Sequence, residues 1–324
     1  MTPALARVAR GESGFTTYDR SFGDVLGASP RLHHVVDVDA HEGPVYSATE
    51  DALYFTSRPT LGQVRIKRLQ LDGTAFPRSA RDISVVPADT VAANGMTGGP
   101  SGSLLVCEQG SMTRSARISQ VDPTTGRTAA VVTGWRGLPL NSPNDVVVGT
   151  DGSVWFTDPS YGHLQGFRPQ PKVGDFVYRH DPETGATEVV DDSFDKPNGI
   201  AFSPDGGVLY VTDSGANQEP GSFHVGRPHH VVAFDVIGGR RLTNRRVLAV
   251  TTPGFPDGLK VDVAGRVYVS SLSGVQVLSP AGDLLGQVDL PGAVNFAFGG
   301  PARNVLYITS DTAVWAAVLD TQGT

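Results

Sequence analysis

The sequence predicts an all-β chain built from six similar units, and three observations support that prediction. Six short apolar runs each open with a carboxylate or amide side chain and continue through a turn into a second β-rich run. The opening residues are Glu42, Asn94, Asn144, Asn198, Asp257 and Asn295. They recur at intervals of 52, 50, 54, 59 and 38 residues, and the 324-residue chain holds 39 Gly and 23 Pro. Such a composition suits many turns between short strands, and no long stretch shows helical periodicity.

Units of this period and character are typical of propeller blades, each a four-stranded antiparallel meander. In each unit, strand A carries the opening residue, strand B follows a hairpin turn, and strands C and D flank a second turn. The last unit stops after its third strand, and residues 32–38 alternate well enough to supply the fourth. We therefore predict a six-bladed β-propeller closed by an N-terminal strand that completes the last blade. Residues 31–324 form this single domain, and residues 1–30 form an arm over its surface.

Composition excludes several classes of partner. The net charge is −7 and no long Lys/Arg cluster is present, so we expect no nucleic-acid or membrane partner. The single cysteine, Cys107, lies in an apolar run, where we expect it to be buried, and it excludes an intrachain disulfide. The first 30 residues are charged and lack the apolar stretch of a signal peptide. The expectation is a cytoplasmic monomer.

Strand alternation predicts that all six opening residues share one rim with the loops between strands B and C. Two of these loops are long, at residues 159–174 and 214–229. Long loops in a compact domain are often functional, so we interpret them as walls or a lid over the axial mouth. On these loops, Tyr161, His163 and His224 are candidate substrate contacts.

Asn-Gly and Asp-Gly pairs are common turn signals, so local backbone geometry is the first explanation for the segments at 197–199 and 256–258. However, the ordinary A–B turns lie one strand further on, at 150–153 and 203–207. The opening residues therefore sit at the other end of strand A, where six of them converge. This placement favours a shared site over six unrelated turns.

The chemistry of the converging side chains predicts a metal site. Glu42 and Asp257 supply two carboxylates, and Asn144 and Asn198 supply two neutral amide oxygens. Hard oxygen donors favour Ca²⁺, Mg²⁺ or Mn²⁺, and a flexible ring completed by water suits Ca²⁺ best, with Zn²⁺ left open. Two negative ligands balance a divalent ion without quenching its ability to polarise a carbonyl or phosphoryl oxygen.

Four further side chains are expected near this site. Asp158 and Asp213 end strand B on the same rim, where capping and orientation of the metal-binding groups are their expected duties. Asn94 is a candidate substrate contact, and Asn295 is expected to support the ring. His41 directly precedes Glu42 and should point to the opposite side of its strand.

Six segments of the chain resemble the gluconolactonase/regucalcin-like family of six-bladed propellers. They are HEGPVY (41–46), LLVCEQG (104–110), LNSPNDVVVGTDGSVWFTDPSYG (140–162), KPNGIAFSPDGGVLYVTD (196–213), PDGLKVD (256–262) and NFAFGG (295–300). The resemblance implies a divalent-metal-dependent hydrolase of sugar lactones. It implies metal binding by Glu42, Asn198 and Asp257, with Asp257 as general base and Asn144 contacting metal or substrate.

One segment departs from the family pattern. After Glu108, the residues Gln109, Ser111 and Met112 stand where a run rich in histidine and arginine is more usual. The polyol specificity usual in the family is therefore not implied for this chain.

Four hypotheses of function follow. The leading one is hydrolysis of a lactone whose carbonyl oxygen is polarised by the ion while Asp257 activates water. A second keeps the metal site but cleaves a phosphotriester or an aryl ester. A third is metal-independent condensation on a pocket glutamate, as in strictosidine-synthase-like propellers. The last is a non-catalytic propeller that binds a peptide or protein, with structural calcium. No G-x-S-x-G motif supports a serine hydrolase.

Overall fold

The computed structural model describes residues 14–59, 63–73, 76 and 78–324, and this part of the chain is nearly all β-structure. Its strands, in chain order, are β1 (Phe15–Thr17), β2 (Arg31–Ala40), β3 (Val45–Ser47), β4 (Ala52–Thr56), β5 (Ile66–Leu71), β6 (Ala80–Val85), β7 (Ala93–Gly98), β8 (Leu104–Glu108), β9 (Arg117–Val121), β10 (Thr128–Val132), β11 (Val146–Val148), β12 (Val154–Asp158), β13 (Phe176–His180), β14 (Thr187–Asp191), β15 (Pro197–Phe202), β16 (Val208–Asp213), β17 (His230–Ile237), β18 (Arg241–Val250), β19 (Leu259–Val261), β20 (Val267–Ser271), β21 (Gly274–Leu278), β22 (Leu284–Asp289), β23 (Asn295–Gly299), β24 (Val305–Thr309) and β25 (Asp311–Val318). Short helices are α1 (Gly23–Leu26) and α2 (Tyr161–Leu164), with 3₁₀ turns at Arg20–Phe22 and Pro100–Gly102.

These strands form six antiparallel sheets, which confirms the predicted six-bladed propeller. Blade 1 is β3 to β6, blade 2 is β7 to β10, blade 3 is β11 to β14, and blade 4 is β15 to β18. Blade 5 is β19 to β22, and blade 6 is β23 to β25 with β2 as its outer strand. Each blade runs as a meander from strand A to strand D. None of the helices in the described residues is long and apolar enough to cross a membrane.

The ring is closed by β2, as predicted. This strand pairs antiparallel with β25, from Arg31 opposite Val318 to Ala40 opposite Asp311, and so extends beyond the predicted residues 32–38. Of the predicted arm, residues 1–13 lie outside the described residues. The rest of the arm adds β1 to blade 5 as a fifth strand beside β22. The division into an arm and a propeller domain stays a prediction.

Burial follows the position of each strand in its blade. Every residue of the B strands β4, β8, β12, β20 and β24 is buried, because neighbouring blades cover both of their faces. This explains why these strands read as continuous apolar runs in the sequence. The D strands β6 and β14 lie at the outer edge and are mostly half-buried or exposed. Cys107 is fully buried in β8, as expected for a small apolar side chain.

Hydroxyl groups on the B strands tie neighbouring blades together at the axis. Each donates to a backbone carbonyl at or beside the opening residue of the next blade: Thr157 to Asn198 at 2.7 Å, Thr212 to Asp257 at 2.9 Å, Ser270 to Val294 at 2.7 Å, and Thr309 to His41 at 2.6 Å. Between blades 2 and 3 the link is instead a backbone bond from Gly95 N–H to the Asn144 carbonyl, at 2.8 Å. These bonds draw the opening residues into one ring.

The glycines that follow the opening residues serve this close approach. A Cβ atom added to Gly95 would lie 2.3 Å from the Asn144 carbonyl oxygen, and one added to Gly199 would lie 2.5 Å from that of Asp257. Neither glycine adopts a left-handed φ, so a turn does not require them. The Asn-Gly pairs therefore mark contact between blades, which supports the shared-site interpretation over the turn interpretation.

The two ends of the propeller carry different structures. The loop end is the end with the opening residues and the B–C loops 159–174 and 214–229. The hairpin end is the opposite one, with the A–B hairpins. A cavity of about 480 Å³ lies on the axis at the hairpin end, lined by strand-A residues of all six blades. Its walls are mainly apolar, and the charged lining residues are Lys260 and Arg303.

Candidate functional site

In two blades, an irregularity in the pairing of strands A and B changes the direction of the opening residue. In blades 2 and 4 one extra residue on strand A forms a bulge: Ala93 pairs with Glu108 but Met96 with Val106, and Pro197 with Asp213 but Ile200 with Val211. Asn94 and Asn198 lie in these bulges. A β-bulge re-aims a side chain and is frequent beside active sites. The register also shows that each opening residue lies opposite the end of strand B, so both belong to the loop end.

Glu42 is buried and held on one oxygen only. Its Oε2 accepts hydrogen bonds from the Gly43 N–H at 2.9 Å and from Asn295 Nδ2 at 2.8 Å. Among the described residues, no hydrogen bond reaches Oε1. Burial raises the pKa of the Glu42 carboxyl, and the nearby Asp145 carboxylate raises it further. Asn295 thus contacts a carboxylate of the ring, and its supporting role stays a prediction.

Asp257 lies close enough to Glu42 for the two carboxylates to repel each other. Burial and this repulsion raise the pKa of Asp257 to about 8, although the Asn198 amide donates to its carboxylate. The Asn198 side chain also contacts the phenol of Tyr161. Tyr161 is buried on α2 and donates to the Ser214 carbonyl at 3.2 Å. The structure thus brings Glu42, Asp257, Asn198 and Tyr161 together.

Asn144 offers an oxygen that has no partner. Its Oδ1 atom is buried and accepts no hydrogen bond from the part of the chain that the structure describes. A buried polar atom without a partner costs roughly 1–3 kcal/mol and calls for a ligand or a functional explanation. The Asn144 carbonyl accepts a long hydrogen bond from Asn94 Nδ2, at 3.4 Å. Asn94 therefore lies beside Asn144 in the ring.

Two aspartates at the ends of B strands hold the segments that lead into the ring. Asp158 accepts from the N–H groups of Asn141 and Ser142, at 2.9 and 2.8 Å, just before Asn144. Asp213 accepts from the N–H groups of Asp195 and Lys196, at 3.1 and 2.9 Å, just before Asn198. These contacts have the geometry that capping and orientation require.

A third buried carboxylate near the ring is absent from the sequence-based predictions. Asp145 Oδ1 accepts from the Val146 N–H at 2.9 Å, and its Oδ2 lies 3.9 Å from the ammonium of Lys260. Burial raises the pKa of Asp145, and Lys260 opposes that effect. The residue follows Asn144 directly, at a position where blades 1, 2, 4 and 5 have glycine, and that difference is the signal that could have revealed it.

Of the three histidines that the sequence analysis considered for the site, His41 lies near the ring and the other two lie on the loops. His41 Nδ1 lies 2.7 Å from Asp311 Oδ1. Burial disfavours its protonation, but Asp311, Glu42 and Asp257 outweigh this and raise the pKa of His41. The charges of both carboxylates therefore act on the His41 ring, while its direct contact is with Asp311.

His163 and His224 are exposed on the two long loops. His224 Nε2 lies 3.1 Å from Glu219 Oε2 in its own loop. The structure does not bring either of these histidines into contact with the ring residues.

The donor set fits a hard divalent cation. Within the described residues, no three Asp, Glu, His or Cys side chains are grouped closely enough to hold a metal alone. A cation at the ring would therefore need amide oxygens as well, and the unpartnered Asn144 Oδ1 provides one. Glu42 and Asp257 repel each other in a buried setting, which a positive charge between them would relieve. Oxygen donors of this kind suit calcium best.

Known proteins match the chain along most of its length. The family profile described as SMP-30/Gluconolactonase/LRE-like region matches residues 40–312. Lactonohydrolase oryL of Aspergillus oryzae is 29% identical over 305 residues, covering 87% of this chain and 69% of that protein. A gluconolactonase of Zymomonas mobilis is 27% identical over 321 residues, covering 91% and 86%. The solved gluconolactonase XC5397 of Xanthomonas campestris has a TM-score of 0.79 at 30% identity, covering 98% of this chain and 99% of that one.

Proposed function

The chain belongs to the SMP-30/gluconolactonase/LRE-like family, and from this premise we propose that it hydrolyses a lactone, of the sugar type, at the ring of opening residues. The observation that carries the proposal is the unpartnered Asn144 Oδ1 in a ring with two mutually repelling carboxylates. Relatives named lactonohydrolase and gluconolactonase support the reaction class.

Glu42, Asn198, Asp257 and Asn144 would hold a divalent ion, with Ca²⁺ the expected metal and Mn²⁺, Mg²⁺ or Zn²⁺ the alternatives. When bound, the ion supplies Lewis acidity toward the lactone carbonyl and lowers the pKa values of the two carboxyls, so that both ionise. Glu42 is fixed by Asn295 and Gly43, which leaves its Oε1 for the ion. Asn144 then either completes the shell or orients the lactone.

Asp257 is the base of the proposed reaction. Its carboxylate takes a proton from water as the water oxygen attacks the carbonyl carbon. The bond between that carbon and the ring oxygen then breaks, and Asp257 returns the proton to the leaving oxygen. The product is a hydroxy acid. Asn198 contacts the Asp257 carboxylate and keeps it oriented for both transfers.

The substrate side of the site is formed by the loop end. Tyr161 lies within reach of Asn198 and presents a buried phenol beside the ring. Asn94, His163 and His224 are the other proposed substrate contacts, the two histidines reaching the lactone by loop movement from their exposed positions. A small lactone is the proposed partner of a monomeric, cytoplasmic enzyme.

A panel of lactones tests the proposal. Turnover of glucono-1,5-lactone and related lactones is measured with and without chelator, followed by add-back of Ca²⁺, Mn²⁺, Mg²⁺ and Zn²⁺. We expect loss of activity with chelator and recovery with one or more ions. An organophosphate ester and an aryl ester are assayed in parallel. Activity that resists the chelator, or that acts on these esters and on no lactone, contradicts the proposal.

A further inference from the structure

Arg168, in the long loop 159–174, is a buried cation bound only by backbone carbonyls. It is 6% exposed. Its guanidinium donates four hydrogen bonds: to Ser111 O at 2.8 Å, to Arg114 O at 2.9 Å, to Asn141 O at 2.9 Å and to Leu140 O at 3.0 Å. Within the described residues it forms no ion pair. Burial lowers the pKa of Arg168, and the nearby Asp158 opposes that effect.

Burial of an unpaired charge is costly, so the arrangement needs an explanation beyond packing. A guanidinium presents its donors in a rigid, planar fork, which fixes the directions of the groups that accept them. Here the acceptors belong to two chain segments that are far apart in sequence. Arg168 therefore fixes the position of one segment relative to the other.

The first of these segments leads into the ring. Leu140 and Asn141 precede Asn144 by four and three residues. Arg168 holds their carbonyl groups, while Asp158 holds the N–H groups of Asn141 and Ser142. The peptide groups before Asn144 are thus fixed on both their donor and acceptor sides. The direction of the unpartnered Asn144 Oδ1 depends on this segment.

The second segment is the B–C loop of blade 2, residues 109–116. Ser111 and Arg114 of this loop accept from Arg168 Nη1. At its start, the N–H groups of Gln109 and Gly110 donate to Ala92 and Val91, just before Asn94. This loop contains the residues that depart from the family pattern. Arg168 therefore links the loop that carries these departures to the segment before Asn144.

The aliphatic stem of Arg168 also contacts α2. A Cβ atom added to Gly162 would lie 2.3 Å from Arg168 Cγ, so only glycine leaves room for the stem. Gly162 follows Tyr161, whose hydroxyl donates to the Ser214 carbonyl of the next long loop. Ser214 Oγ in turn donates to the Pro256 carbonyl at 2.5 Å, next to Asp257. Contacts between loops thus run from blade 2 to blade 5.

We propose that Arg168 is a positioning residue that fixes the Asn144 segment and the 109–116 loop relative to each other, and so sets both ion affinity and the substrate wall. The part concerning the ion rests on the proposed function. The part concerning the loop is independent of it, because it rests on the hydrogen bonds from Arg168 to Ser111 and Arg114. Two readouts therefore test the proposal.

The experiment compares Arg168→Met with Arg179→Met. Arg179 is a matched control, because it is equally buried in the same blade and donates to Gly239 O and Asp151 at the hairpin end. In the metal-free proteins, amide hydrogen exchange of 109–116 and 140–144 should increase in Arg168→Met and stay unchanged in Arg179→Met. Calcium affinity, measured by titration calorimetry, should fall roughly 10–100-fold in Arg168→Met alone. KM for the lactone should rise more than kcat falls.

A third variant, Arg168→Lys, keeps the charge and most of the stem but lacks the fork. It should give smaller changes in the same direction, and it replaces Arg168→Met if that variant fails to fold. Unchanged exchange and unchanged calcium affinity in folded Arg168 variants overturn the proposal, as do equal changes in Arg179→Met. A wild-type protein that binds none of Ca²⁺, Mn²⁺, Mg²⁺ and Zn²⁺ contradicts the proposed function instead, and the exchange data then still decide the role of Arg168 in the loops.

Discussion

The loop end and the hairpin end are built from the same six A strands, yet they hold opposite kinds of chemistry. At the loop end, carboxylates and amides form a ring in which Asn144 Oδ1 accepts no hydrogen bond from the described residues. At the hairpin end, the axis opens into a cavity of about 480 Å³ with mainly apolar walls. The default expectation places a site in the largest apolar pocket. The proposed site lies instead at the end where the pKa values of polar groups are shifted and a polar atom is unpartnered.

The largest difference in activity between a substitution at the loop end and one at the hairpin end is expected for Asp257. Asp257→Ala should lower kcat/KM for the lactone by roughly 10²–10⁴-fold, the range that general-base catalysis contributes. The fold should persist, because a buried carboxyl whose pKa is raised by repulsion adds no stability to the metal-free protein. The control is Asp205→Asn at the hairpin end, where Asp205 caps the Gly207 N–H. Full activity in Asp257→Ala rules out its role as the base.

The second-largest effect is expected on metal affinity when one carboxylate of the ring is neutralised. Glu42→Gln should weaken calcium binding by more than about 100-fold, above the 10–100-fold typical of groups that act through a ligand. Glu50→Gln is the control, since Glu50 accepts from Tyr54 and Arg68 in the A–B hairpin region of the same blade. Calorimetric titration with Ca²⁺ measures both variants. Equal affinities in the two variants would place the ion elsewhere.

The pH dependence of stability should have opposite signs at the two ends of blade 3. Burial raises the pKa of Asp158 to about 8 at the loop end. Asp151, at the hairpin end, has a pKa lowered to about 2 by hydrogen bonds from Ser153 and Arg179 that outweigh the opposing effect of its partial burial. In the unfolded chain Asp158 ionises near pH 4, but in the folded protein it stays protonated until about pH 8. The free energy of unfolding therefore falls as pH rises from about 4 to about 8. Asp151 stabilises the fold above about pH 4 and loses that effect as pH falls toward 2.

Denaturant unfolding of metal-free protein at a series of pH values measures this difference. In the wild type, Asp158 should lower the free energy of unfolding by up to about 1.4 kcal/mol per pH unit between pH 4 and 8, and Asp158→Asn should remove this decline. Asp151→Asn should instead flatten the acid side below pH 4. Since the slope with pH is compared, a constant cost of either substitution does not affect the conclusion. Identical slopes in wild type and Asp158→Asn count against the raised pKa.

The smallest effect is expected midway along the axis, where the two ends meet. Lys260 lines the cavity and lies 3.9 Å from Asp145, which in turn raises the pKa of Glu42. Lys260→Met removes a positive charge below the ring and leaves Asp145 uncompensated. Calcium binding should tighten several-fold, and the effect should weaken with added salt. Arg303→Met at the cavity mouth is the control, and a similar change there would show that the effect is not specific to the Asp145 contact.

The fold could be predicted from the sequence because its signals are periodic. The opening residues and the turns recur in every blade, and antiparallel alternation assigns both to one end without any structure. The closing strand was predicted because the last unit lacks a fourth strand. Repetition gave no such help with the glycines: Gly95 and Gly199 have the sequence of a turn, but their role is to let neighbouring blades approach.

The residues near the site that the sequence analysis did not predict depend on contacts that do not recur from blade to blade. Arg168 binds carbonyls 27 to 57 residues away, and any residue type can supply a carbonyl. Asp145 departs from a glycine position, but its burial depends on Ile200 and Lys260 of other blades. His41 lies just after the end of β2, and its contact with Asp311 likewise joins positions 270 residues apart.

The strand that closes the ring also delivers the first residue of the site. β2 ends at Ala40, and two residues later Glu42 meets Asn295, 253 positions further along the chain. A nascent chain therefore carries Glu42 from early in its synthesis but lacks its partner until blade 6 has been made and docked. Ion binding at the ring would therefore require that blade 6 has formed and been closed by β2. A chain truncated before blade 6 would contain the sequence of five blades but would lack a complete ring of opening residues.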